Sequence, residues 1–198
     1  MTEGDGTGEM GHIGLMGKTR TNKPTWSDVK SVAASLDQKQ LLALLGDLYR
    51  HSRDNQAFLH ARFGIGADPL GPYKVTIDEC MYPDVLKNTP IQISKAKRAI
   101  SSYVKAAGDP IGEAELMVFF VECGNSFTLE YGDINEGFYD ALNTMYRRSI
   151  RKVLSLPEEQ QGKFRDRLRN IMESSSGIGW GYHDMLCDDY YNAFPEEE

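Results

Sequence analysis

From Thr25 to Asn192 the apolar residues recur three and four positions apart, and nowhere do they alternate with polar ones over the length of a strand. That spacing gathers apolar side chains into one stripe per helix, because 3.6 residues complete a turn, whereas a half-buried strand needs a period of two. The chain is therefore expected to be all-α, a compact stack of about eight or nine helices. Helical hairpins in series can close into a bundle or curve into a short α-solenoid.

Local signals divide the sequence into elements. Thr25 and Asp28 form a capping box before Val29, Val32 and Ala33, and Ser35 with Gln38 is read the same way before Leu41, Leu44, Leu45 and Leu48, so the two helices predict an αα-hairpin. Ser52 caps a third helix that ends at Gly64. Pro69, Pro72, Pro83 and Pro90 break the next stretch, leaving one short helix over Val75 to Met81. Helical spacing resumes at Ser94 and stops at Gly108, with Lys95, Lys97, Arg98 and Lys105 outside.

Asp109 and Pro110 then open a helix in which Leu116, Met117, Phe119, Phe120, Val121 and Cys123 cover nearly the whole circumference. Only an element surrounded by others tolerates that, which makes it the expected centre of the fold. After a break at Gly132 and Asp133, a long helix runs to Leu154. Ser155 with Glu158 starts another, and a last one spans Tyr182 to Asn192. The domain organisation expected is a glycine-rich tail over 1–24, a single helical domain over 25–194 and an acidic end at 195–198.

Composition narrows the function classes. Among 198 residues, 40% are apolar and 26% charged, the balance of an ordinary globular domain. The net charge of −7 disfavours a protein that coats nucleic acid through its overall charge. The longest mainly apolar run, Leu116 to Val121, is far short of the roughly 20 residues of a spanning helix. The N-terminus has glycines every two or three residues where a secretory signal has a continuous apolar centre, so a cytoplasmic chain is expected. Cys80, Cys123 and Cys187 lack the spacing of a disulfide framework or a zinc site and read as small apolar side chains.

Three constellations are candidates for chemistry. Arg147, Arg148, Arg151 and Lys152 line the outer face of one helix, where they could meet phosphates or an acidic partner. Ser174 to Asp184, SSSGIGWGYHD, leads glycines at 177, 179 and 181 into a helix whose free amides could attract an anion. Trp180, His183 and Asp184 are its candidate binding residues, yet the segment matches neither the P-loop nor the dinucleotide fingerprint. Its simpler reading is a tight turn, with Gly179 expected to need a backbone conformation costly for other residues and His183 or Asp184 bonded to the backbone. Finally, Glu115 and Glu122 share a helix face, and Glu122, Glu130, Asp133 and His183 would make a metal or acid–base site if they converged; otherwise these carboxylates cap or pair with arginines. The helical di-metal pattern needs a glutamate three residues before a histidine on each of two helices, and only Glu9 and His12 in the glycine-rich tail have that spacing.

The segments ISKAKRAISSYVK, FTLEYGDINEGFYDAL and SGIGWGYHD resemble a family of small uncharacterised bacterial helical proteins, over residues 27–190. The resemblance implies an all-helical fold and a bacterial or phage setting, and carries no activity to transfer. With no complete catalytic pattern and no cofactor implied, the leading expectation is a non-catalytic helical interaction module that binds a protein partner. A nucleic-acid or phosphate-ligand module using the basic face and the glycine turn is the first alternative. A metal-assisted hydrolase using the acidic cluster is the second.

Overall fold

A computed structural model describes residues 23–195, and the described residues are all-helical. Of the expected terminal segments, residues 1–22, with the Glu9 and His12 pair, and 196–198 lie outside them. The helices are α1 (Trp26–Ala33), α2 (Gln38–His51), α3 (Arg53–Phe63), α4 (Gly71–Met81), α5 (Ile93–Ala107), α6 (Pro110–Tyr131), α7 (Glu136–Leu154), α8 (Glu158–Ser174) and α9 (Tyr182–Ala193), with a 3₁₀ turn at Val85–Lys87. The chain divides at Leu45/Gly46 into two compact units.

In the first unit, the capping box of Thr25 and Asp28 forms, the Thr25 amide donating to Asp28 Oδ2 at 2.7 Å. The second box sits two residues later than its sequence signal. Asp37 and Gln40 bond reciprocally at 2.7 and 2.9 Å, while the Ser35 hydroxyl donates back to the Val32 carbonyl. A carboxylate or amide reaches a backbone amide three positions away as a hydroxyl does, so each of these pairs scores as a start signal. The expected αα-hairpin is not closed: α1 and α2 pack little on one another, and neither has a buried residue.

The second unit is built around α6. Leu116, Met117, Val118, Phe120 and Val121 are buried, as a helix apolar all round requires, and α4, α5, α7 and α8 pack on it. Close approach of α7 depends on Gly124, where a Cβ would collide with the Leu142 side chain. α9 closes over α7 and α8, and α3 leans on α5. The Tyr146 hydroxyl, fully buried on α7, donates to the Leu168 carbonyl of α8 at 2.9 Å, which satisfies a group that would otherwise be costly to enclose.

α4 begins at Gly71, four residues before its sequence signal, because Pro72 falls in the first turn, where no amide donor is needed and the ring favours helical geometry. The Ser155 and Glu158 capping box does not form. Ser155 closes α7 instead, its hydroxyl donating to the Lys152 carbonyl at 2.6 Å, and Pro157 precedes α8 without a side-chain cap.

The turn between α8 and α9 corrects the expectation for Gly179. The left-handed residues are Gly177 (φ +85°), Trp180 (φ +62°) and Gly181 (φ +65°), and a Cβ on Gly179 would meet nothing within 4 Å. Gly181→Ala is therefore expected to lose about 1–2 kcal/mol, the cost of a left-handed L-residue. Gly179→Ala should melt within a degree or two of the parent. Thermal denaturation of the two variants checks the assignment, and equal losses would contradict it.

Candidate functional site

The acidic candidates do not converge. Glu115 and Glu122 lie on one face of α6 as their spacing requires, but both point at α8, where Arg167 takes Glu122 through Nε and Nη2 at 2.7 Å each and Glu115 through Nη1 at 2.6 Å. Lys74 of α4 completes the group, 2.7 Å from Glu115. Burial alone would raise the Glu115 pKa; the hydrogen bonds from Lys74 and Arg167 outweigh it and hold the carboxyl below its ordinary value. Four charges on three helices are thus consumed in joining α4, α6 and α8.

The other members are occupied elsewhere. Glu130 accepts a hydrogen bond from the Tyr82 hydroxyl, and Asp133 accepts from the Trp180 indole and the Tyr139 hydroxyl. His183, half-buried, places Nδ1 2.9 Å from Ser175 Oγ and 3.1 Å from the Met172 carbonyl, and Nε2 3.4 Å from Cys187 Sγ. Among the described residues, no group of three His, Cys, Asp or Glu side chains is placed to hold a metal ion.

The basic face is divided too. Arg147 is bound to Asp189 of α9 through Nε at 2.8 Å, and Lys152 is ion-paired with Glu113 of α6. That leaves Arg148 and Arg151 exposed, a smaller cationic surface than four adjacent charges suggest. In the glycine turn, Asp184 is exposed in the first turn of α9, where a carboxylate favours the helix dipole.

Trp180 connects the two turns at one end of the second unit. Its left-handed backbone, unusual for a bulky residue, aims Nε1 at both oxygens of Asp133, 3.0 and 2.8 Å away. The chain continues from Asp133 to Tyr139, 2.7 Å, and from Tyr139 to Thr128, 2.6 Å. These bonds stabilise the ionised carboxylate, first Trp180 and then Tyr139, and lower the Asp133 pKa.

A larger surface lies on the first unit. On α1, Trp26, Val29 and Val32 are 73%, 53% and 66% exposed, and on the first half of α2, Leu41, Leu42, Leu44 and Leu45 are 37–61% exposed. Sequence spacing marked most of these as stripe residues, but a stripe facing a core and one facing a partner have the same period. Trp26 carried no signal beyond its size. No family model matches the chain, and no curated protein or solved structure does.

The Asp133 geometry has a pH consequence. A depressed folded pKa contributes stability above the unfolded value, and that stability is lost as pH falls through the folded one. In a Trp26→Phe background, Trp180 fluorescence should titrate with a midpoint below the ordinary aspartate value of about 3.9, and Asp133→Asn should abolish that titration. A midpoint at or above the ordinary value would contradict the hydrogen bonding.

Proposed function

We propose that this chain is a non-catalytic helical interaction module whose docking surface is the apolar face of α1 and the first half of α2, covered by a second copy of the same chain. The observation that carries the reading is the exposure of seven large apolar side chains on a short stretch of helix with no buried residue. Side chains of this kind left in water lose the free energy that burial would provide, and patches of this size on soluble proteins mark interaction sites.

Area and charge support a second copy as the occupant. The seven side chains expose on the order of 700 Å², close to the roughly 800 Å² that each partner contributes to a standard interface. Residues 23–45 carry Lys23, Lys30 and Lys39 against Asp28 and Asp37, a balance of +1, while the whole chain stands at −7. Two copies repel through most of their surfaces and little through this one. A symmetric dimer sets the same patch on both sides of the contact, so one apolar stripe serves twice.

The cytoplasmic location and the bacterial or phage setting belong to the same proposal. They are supported by the segment resemblance and by three free cysteines, which suit a reducing compartment.

Sedimentation equilibrium over a range of concentrations tests the reading. A reversible dimer is expected, and Leu41→Glu with Leu45→Glu should shift it to monomer with helix content unchanged, since both side chains are exposed. Weak dependence on salt should accompany an apolar contact. A monomer at every concentration, or a dimer unaffected by the double substitution, would overturn it.

A further inference from the structure

A separate feature of the second unit points to a ligand. α3 and α4 both pack on α5, and the three helices enclose a cleft of about 790 Å³. Arg53 lines it from the first turn of α3, and Lys95 and Arg98 from α5. Among the described residues none of the three has an ion-pair partner, although seven ion pairs form elsewhere. Asp54 and Glu79 also line the cleft and leave a local balance of +1. The N-terminal turn of α3 adds backbone amides, of which Ser52 Oγ takes only that of Asn55.

Phe58, Val75 and Ala99 give the same cleft an apolar wall. Tyr73 lines it from α4. It is 5% exposed, and its hydroxyl is enclosed with no hydrogen-bond partner among the described residues. A buried hydroxyl without a partner is destabilising, and of the two such tyrosine hydroxyls among the described residues, Tyr73 and Tyr182, only Tyr73 belongs to a residue that lines this cleft. Burial, with the nearby charge of Asp54, raises its pKa and keeps it a neutral donor.

We infer that the α3–α4–α5 cleft binds a small amphiphilic anion, a carboxylate or phosphate head on an apolar body, with Arg53, Lys95 and Arg98 receiving the head and Tyr73 donating to it. Unpaired guanidinium groups form charge-assisted bonds with such a head, and a mixed apolar and polar lining is the usual make-up of small-molecule sites. The site lies wholly in the second unit and does not depend on the proposed dimer.

The full chain is titrated with 1-naphthyl phosphate, 1-naphthoate and 1-naphthylmethylamine, followed by amide shifts in proton–nitrogen NMR spectra. Both anions should shift amides of residues 53–58 and 95–102, and the tighter of the two identifies the preferred head. Lys95→Ala with Arg98→Ala should weaken binding at least about tenfold. Tyr73→Phe should weaken it about threefold while the melting temperature holds or rises, because the lost hydroxyl had no partner. A purely structural Tyr73 would leave affinity unchanged. The inference is overturned if neither anion binds at millimolar concentration, if the amine binds more tightly than both, or if the double variant binds like the parent.

Discussion

The second unit depends on one helix, α6, that has only a narrow side to turn to water. It buries residues around most of its circumference, from Gly112 and Ala114 to Phe127 and Thr128, and leaves the stripe of Ile111, Glu115, Phe119, Glu122 and Ser126 less than fully covered, so neighbours are required on most sides. α4, α5, α7 and α8 supply them, and the polar contacts then fix how each lies. Arg167 joins α8 to α6 through two carboxylates, Lys74 brings α4 to the same point, and Tyr146 ties α7 to α8. Half-buried ion pairs of this kind contribute less to stability than the apolar contacts around them, but breaking one strands the partner charge. They specify the arrangement that burial drives.

The first unit obeys the opposite logic. α1 has 8 residues and α2 has 14, lengths at which a helix without packing is marginal in water. Capping at Thr25 and at Asp37 offsets part of that cost by satisfying orphan amides. The apolar stripes remain exposed among the described residues, which is the physical basis for assigning them to a partner.

Much of the architecture was legible in the residues. The all-helical fold, the enclosed α6 and the ends set by Gly64, Gly108 and Asp109 follow from periodicity and capping chemistry that act within a few residues. The misplacements share a cause, since several residues near a boundary can each play the same local role. Ser35 and Asp37 both suit a cap, Pro72 either breaks a helix or opens one, and any of three alternating glycines could take a left-handed backbone, which Gly177 and Gly181 do and Gly179 does not. Tertiary packing selects among them.

The sites were less legible, because a site is a property of long-range placement. The residues offer Glu115 and Glu122 either an acidic site or pairing with arginines, and which arginine is set only when the fold brings Arg167, 45 residues from Glu122 along the chain, against them. Lys95 and Arg98 read as an outer face, and Tyr73 precedes the short helix expected over Val75 to Met81; only the packing of α3 and α4 on α5 brings the three to one cleft. The central claim, that the stripe on α1 and α2 is covered by a second copy, is tested most directly by amide hydrogen exchange at high and low protein concentration. The account predicts slow exchange in α6 at both, and protection of α1 and the first half of α2 only where the dimer is populated. Protection of α1 and α2 that stays the same on dilution to the monomer would contradict it.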